Sequence, residues 1–249
     1  MRSVNLNHFF LPPSAFTGES VLFPKDISTQ ISRVLRLKPG GKVITLDDTG
    51  HLFEVELESV TSKMVTGRIL RSSAAGNEPE HHLTLQICLT QREKFEWILQ
   101  KGTELGVVEF MPVLTSRTLV HSLDEISNKF DRWKRILKEA AEQCERGRIP
   151  ALLPPDQLKN ALTAEAGALS LVLNEQEHQL SLKQALEKKP DTTRIFLLVG
   201  PEGGFSEDEI SVIKKAGYQS VTLGPRILRM ETAAIAAASI IMYEMGEMS

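Results

Sequence analysis

Glu202 stands between Pro201 and a pair of glycines, Gly203 and Gly204, directly after Gly200 and the apolar run Ile195–Val199. A carboxylate on a loop otherwise poor in side chains can accept a proton or orient a base, and the bare main chain beside it lets a ligand approach closely. About one strand–helix unit later, Leu223–Thr232 reads LGPRILRMET, with Arg226 and Arg229 set among apolar residues after a Gly-Pro turn. Two guanidinium groups there can stabilise negative charge that develops on a substrate. Each feature also has a plainer reading. Glu202 can simply favour a following helix through its macrodipole, the glycine loop can be a tight turn without a ligand, and each arginine can be an ordinary solvated cation. Two such loops at strand ends nonetheless point to a cofactor-binding enzyme, because open α/β sheets hold ligands at the carboxyl ends of their strands.

The character of the first loop narrows the ligand. Ser206 with Glu209 three residues on forms a capping box, and Gly217 stands where a C-terminal left-handed residue is wanted. Glu202, Glu207 and Asp208 make this helix start acidic, which is wrong for a phosphate cradle. Neither GxGxxG nor GxxxxGK[ST] occurs, so a cofactor of positive or neutral character suits the loop better than NAD or ATP. The helix after the second loop, Glu231–Ile241, is rich in alanine. Its small residues either admit another backbone at close range or reflect high helix propensity.

The elements that must position these loops fall into two regions. In the first seventy or so residues, Lys42–Leu46, the turn Asp47–Gly50 and the alternating Leu52–Glu58 predict a hairpin, and Lys63–Leu70 predicts another strand. One short helix precedes them, with Asp26 as its cap, a stripe of Ile27, Ile31, Val34 and Leu35, and a stop at Pro39-Gly40. A small β-barrel is expected over residues 1–73. The polar Ser72–His82 reads as a linker. From residue 80 to 249 apolar runs (Leu83–Leu89, Val107–Val113, Leu169–Leu173, Ile195–Val199, Ser220–Leu223) alternate with helical patterns (Glu93–Leu105, Lys129–Glu145, Leu182–Lys188, Glu207–Ala216, Glu231–Met245). That alternation predicts an α/β domain with a mainly parallel sheet.

Bulk composition bounds the rest. The 249 residues include 41% hydrophobic and 24% charged residues, with a formal net charge of −3, so any nucleic-acid contact must come from a local basic face. Cys88 and Cys144 lie far apart and without metal-ligand spacing, and no metal site is expected. The N-terminus does not read as a signal peptide, and no stretch approaches the roughly 20 apolar residues of a membrane span. A soluble cytoplasmic protein is expected.

Five blocks in order carry a resemblance: Arg33–Gly40 (RVLRLKPG), Lys94–Val107 (KFEWILQKGTELGV), Glu139–Gln143 with Arg146, Gly200–Phe205, and Leu223–Arg229 with Glu231-Thr232-Ala233. Together they resemble the SPOUT class of S-adenosylmethionine-dependent RNA methyltransferases, and within it the bacterial family that methylates N3 of a uridine in 16S ribosomal RNA. The resemblance covers nearly the whole chain. It implies a PUA-like β-barrel that grips RNA, then a SPOUT α/β domain with a trefoil knot, which periodicity alone does not reveal. It also implies a homodimer and S-adenosyl-L-methionine held mostly by main-chain groups at the knot. Carried over by position, Leu173, Val199, Gly200, Glu202 and Gly203 would line one side of that cofactor, and Leu223, Gly224, Ile227, Leu228 and Thr232 the other. The chain differs from the usual pattern at His8-Phe9-Phe10, at Thr29-Gln30 and at Met230.

For methyl transfer to a uracil nitrogen, Arg226 or Arg229 is expected to stabilise the developing imide charge, with Glu202 as proton acceptor or orienting group. Neither loop contains a histidine. Arg33, Arg36 and Lys38, followed by Lys42, offer phosphate contacts, as do Arg132, Lys134, Arg135 and Lys138 on a later helix; a solvated face explains either set as well. His81 and His82 receive no role. Rival readings are a ribose 2′-O methyltransferase on the same fold, a non-catalytic RNA-binding or ribosome-assembly factor, and a Rossmann dehydrogenase, whose glycine motif and acidic ribose partner are missing.

Overall fold

The computed structural model describes residues 6–118, 124–162, 165–188 and 191–248. It divides into two compact units, Met1–Glu78 with Ala141–Ile149, and Pro79–Ala140 with Pro150–Ser249.

In the first unit, alternating residues build a six-stranded curled sheet. Its strands are β1 (His8–Phe10), β2 (Phe16–Thr17), β3 (Ser20–Phe23), β4 (Lys42–Leu46), β5 (His51–Val60) and β6 (Val65–Ala74), in the order β1-β4-β5-β6-β3-β2. The hairpin falls where the alternation places it, with Lys42 opposite Glu56 and Leu46 opposite Leu52. Register shifts at Glu54/Val55 and Leu57/Ser59 bend β5, as bulges do. The inward residues Phe9, Val21, Phe23, Val43, Val55, Leu57 and Val65 pack around Ile27 and Ile31 of the helical segment between β3 and β4.

That segment departs from its predicted form in two ways. The helix α1 (Lys25–Thr29) is capped by Pro24, with no side-chain cap bond, so Asp26 lies inside the first turn instead of capping it. Gln30–Val34 then widens into a π turn, with Leu35 N–H donating to the Gln30 carbonyl at 2.9 Å. The inserted residue rotates the face, and Val34 leaves the apolar stripe to stand 72% exposed. Arg36 follows at φ 54°, a left-handed conformation uncommon for a residue with a side chain. Residues 141–149 complete this unit. Ala141 joins Phe10, Ile44 and Leu46 in a small core, and the buried Arg146 donates to Glu78 at 2.7 Å.

The second unit holds a sheet whose pairings are all parallel, ordered β10-β8-β7-β12-β11-β13 with β9 beside β8. The strands are β7 (His82–Cys88), β8 (Glu109–Leu114), β9 (Ala151–Leu152), β10 (Asp156–Gln157), β11 (Leu169–Leu173), β12 (Arg194–Val199) and β13 (Gln219–Val221). The helices are α2 (Arg92–Glu104), α3 (Asp124–Gln143), α4 (Leu158–Ala161), α5 (Leu182–Glu187), α6 (Glu207–Lys215) and α7 (Met230–Glu244). Near-continuous apolar runs make β7, β11 and β12 the buried centre, as helix-covered parallel strands require. The buried Gln86 in β7 is satisfied: its amide donates to the Ala161 carbonyl at 2.6 Å and accepts from the Tyr218 hydroxyl at 2.8 Å.

Chain order and sheet order disagree. β12 is inserted between β7 and β11, and after the edge strand β13 the chain returns so that α7 packs on α2, α5 and β12. On α3, Trp133 is 2% exposed and its ring centroid lies 4.5 Å from that of Phe95. Trp133→Ala is expected to destabilise the protein by about 3–5 kcal/mol, the usual range for emptying a buried aromatic site. Denaturant titration checks this, and a loss below about 1 kcal/mol would contradict the packing.

Candidate active site

Parallel pairing brings three strand ends to one level. Leu173, the last residue of β11, lies opposite Val199 at the end of β12 and Val221 at the end of β13. The chain leaves all three strands on the same side, and the segments that follow enclose a cavity of about 920 Å³. Its size fits the usual range for ligand sites.

Most of the residues singled out in the sequence meet there. Leu173, Val199, Gly200, Glu202, Leu223, Gly224, Arg226, Ile227, Leu228 and Arg229 line the cavity. Two do not. Thr232 is exposed on the first turn of α7 and lies off the lining, because the helical turn carries it away while Glu231 and Ala233 remain. Gly203 is also off the lining. Its carbonyl accepts a hydrogen bond from Arg117 Nη1 at 2.8 Å, and a Cβ added there would meet only the Arg117 side chain, 3.7 Å away. The next residue takes its place: Gly204 lines the cavity at φ 67°, and a Cβ added to it would stand 3.1 Å from the Glu175 carboxylate.

The sequence reading missed the third loop. Asn174, Glu175, Gln176 and His178 follow β11 into the cavity lining, so a histidine does reach the site although neither glycine loop holds one. Strand-end position was the available signal, but it becomes decisive only once β11 is known to sit beside β12. Lys94, at the start of α2, belongs to one of the five family-like blocks without an expected role, and it also lines the cavity.

Lys94 settles the environment of Glu202. Its Nζ donates to Glu202 Oε1 at 2.6 Å, and Thr90 Oγ1 donates to the same oxygen at 3.0 Å. The hydrogen bond from Lys94 holds the Glu202 carboxyl below its ordinary value, with the charge of Arg229 contributing. The macrodipole reading of Glu202 therefore gives way to an ion pair. The helix itself starts later, at Ser206, whose hydroxyl and Glu209 complete the expected capping box, and Glu209 also accepts from the Ser116 N–H at 2.9 Å. A carboxylate held ionised is a weak proton acceptor, so the geometry favours an orienting role for Glu202 over a general base. The sign follows from the depressed pKa: the ion pair is fully formed above the ordinary glutamate value of 4.5 and is lost as pH falls through the lower folded value. Lys94→Met is expected to raise the Glu202 pKa toward 4.5, as read by carbonyl NMR titration; an unmoved midpoint would mean that Lys94 does not set it.

The predicted basic groups are arranged differently from one another. Arg33, Arg36 and Lys38 are all exposed on the first unit. Lys42 is paired with Glu54 at 2.9 Å, and Arg132 is held by both carboxylate oxygens of Glu96, at 2.6 and 2.9 Å. Lys134 lies 5.0 Å above the Phe130 ring. The α3 patch thus keeps less free charge than its sequence suggests. His81, given no role, hydrogen-bonds Glu247 at 2.6 Å. Among the described residues, no group of three or more His, Cys, Asp or Glu side chains is arranged to hold a metal ion.

Residues 77–242 match the family of the RNA methyltransferase domain. The ribosomal RNA small subunit methyltransferase E of Synechocystis is 36% identical over 213 residues, covering 85% of this chain and 69% of that protein. The Bacillus subtilis protein of the same name is 30% identical over 239 residues, covering 94% and 91%. This chain belongs to the ribosomal RNA small subunit methyltransferase E family. A crystal structure of a member from Neisseria gonorrhoeae, bound to S-adenosyl methionine, matches with a TM-score of 0.87 at 30% identity over 96% of this chain and 97% of that one. Membership and this likeness bear out the expected fold class, a PUA-like β-barrel followed by a SPOUT α/β domain, and make the chain an RNA methyltransferase.

The cavity suits that cofactor on its own features. At Gly224, φ 111°, a Cβ would meet no atom within 4 Å and would project into the open space of the loop. Apolar Leu173, Val199, Leu223 and Leu228 can take an adenosine, and the Glu175 carboxylate suits a ligand that carries positive charge.

Proposed function

We propose that this protein transfers the methyl group of S-adenosyl-L-methionine to N3 of a uridine in 16S ribosomal RNA. One observation carries the reading: the two side-chain-poor loops, Gly200–Phe205 and Leu223–Met230, contribute to a single cavity although seventeen residues separate them. Leu173, Val199, Gly200, Gly204, Leu223, Gly224, Ile227 and Leu228 would hold the cofactor, which supplies an electrophilic methyl for in-line displacement. The protein's share is positioning and charge stabilisation. Arg229, with Arg226, would meet the uracil oxygens and favour the imide anion. Glu202, fixed by Lys94 and Thr90, would orient Arg229 and the base.

Residues 1–73, in the unit that also takes in Ala141–Ile149, would act as the RNA-gripping domain, with Arg33, Arg36 and Lys38 on phosphates, and the remainder of residues 80–249 as the transfer domain. Ile227, 84% exposed at the cavity, and Tyr243, 67% exposed on α7, are apolar groups that a second subunit would cover, which supports a homodimer. No helix among the described residues is long and apolar enough to cross a membrane; a cytoplasmic enzyme acting on the assembled or assembling small subunit fits the substrate. Mass spectrometry of nucleosides from 16S RNA of a deletion strain tests the proposal. Loss of 3-methyluridine is expected; loss of a ribose methyl instead would favour the 2′-O reading, and no loss would favour a non-catalytic factor.

A further inference from the structure

We infer that Arg117 is a positioning residue for the cofactor, fixing from outside the cavity the peptide that shapes its glycine-loop wall. The inference rests on the methyltransferase reading above. Arg117 lies in the segment after β8, is exposed, and stands off the cavity lining. Its Nη1 donates to the Gly203 carbonyl at 2.8 Å. That bond acts on a single peptide unit, whose carbonyl belongs to Gly203 and whose N–H belongs to Gly204. The same N–H donates to the Pro201 carbonyl at 2.9 Å. A peptide is planar, so turning this one moves Gly203 ψ and Gly204 φ together. With glycine on both sides, no Cβ resists the turn. Hydrogen bonds at the two ends of the plane therefore hold Gly204 at φ 67°, the conformation in which it lines the cavity.

Arg117 can hold the plane because its own backbone is anchored. The Ser116 N–H donates to Glu209 Oε1 at 2.9 Å, while Oε2 of that carboxylate accepts from the Ser206 N–H at 2.9 Å. Thr115 and Thr118 are buried, and the Thr118 hydroxyl donates to the Thr115 carbonyl at 2.9 Å. On the other flank, Lys94 and Thr90 hold Glu202. The glycine loop is thus pinned by the segments that follow β7 and β8. Such preorganisation raises affinity without touching the ligand. Apparent affinity scales with the fraction of molecules already in the binding conformation, so a tenfold loss corresponds to a competent fraction of about one tenth.

The test compares Arg117→Ala, Arg117→Met and Arg117→Lys with the unaltered full chain, each checked for folding by thermal denaturation. Calorimetric titration with S-adenosylmethionine is expected to show a loss of roughly three- to tenfold for alanine and methionine, the equivalent of one net hydrogen bond. Lysine keeps a donor and is expected to recover most of that loss. In the cofactor-free chain, hydrogen exchange at the Gly204 amide is expected to quicken with alanine and methionine. In methylation assays the KM for S-adenosylmethionine should rise with the dissociation constant, while kcat at saturating cofactor falls less than twofold. Unchanged cofactor affinity with alanine overturns the proposal, as does unchanged exchange at Gly204. Affinity kept by methionine, or a lysine variant no tighter than methionine, also overturns it, because packing and not the donor would then matter. So does a loss confined to the KM for RNA, which would make Arg117 a phosphate contact. Should the alanine variant fail to fold, the methionine and lysine variants carry the comparison. If the unaltered chain does not bind S-adenosylmethionine, the methyltransferase reading falls and this inference with it, an outcome distinct from an unaffected variant.

Discussion

Replacing Arg229 with alanine is expected to lower kcat by roughly 10²- to 10³-fold, the scale seen when one charge-stabilising donor is removed from an active site. Affinity for S-adenosylmethionine should change much less, by about threefold or under, because a group that acts on developing charge contributes little to the ground state. The side chain makes no cap bond to α7, although its residue is the N-cap, so the helix has no need of the guanidinium. Its charge does reach Glu202 and helps to keep that carboxylate ionised. Single-turnover methylation of 16S RNA, set beside cofactor titration, separates the two effects. Equal losses in both would reduce Arg229 to a wall of the pocket.

The second large effect is expected at Gly204, not at its neighbour. Gly204 sits at φ 67°, where a side chain is strained, and a Cβ would crowd the Glu175 carboxylate at 3.1 Å. Left-handed strain of about 1–2 kcal/mol would shift the loop and weaken cofactor binding roughly 5- to 30-fold in Gly204→Ala. Gly203→Ala, whose Cβ has only Arg117 at 3.7 Å for company and no positive φ, should stay within about twofold. Calorimetry on both variants decides: a larger loss at Gly203 would restore that residue to the cavity wall and contradict the loop geometry.

The glycine pair also marks how far residues alone could lead. The presence of a bare loop was legible because Gly200, Gly203 and Gly204 cluster between an apolar strand and a capping box, and a five-block resemblance reinforced it. Which glycine lines the cavity was not legible, since φ at a turn depends on the bonds that fix it. Here the Gly204 N–H donates to the Pro201 carbonyl at 2.9 Å and Arg117 holds the Gly203 carbonyl. Val34 teaches the same lesson in the barrel. Periodicity placed it on the apolar face, and one π turn, invisible in the spacing, turned it to solvent.

Local patterns in this chain determine the elements: alternation builds the β4–β5 hairpin, apolar runs build the buried strands, and Ser206 with Glu209 starts α6 where expected. They also specify the residue types available for chemistry. Tertiary structure decides which of those residues share a site. The order β7-β12-β11-β13 sets Leu173, Val199 and Val221 side by side, and thereby brings Glu175 and His178 to a cavity that neither was assigned to. Likewise only packing carries Lys94 to Glu202, across 108 residues of chain, and leaves an oxygen of Glu231 dry and unpaired. Short-range spacing encodes dihedral preference and periodic burial, whereas strand order and long-range ion pairs depend on the path of the whole chain.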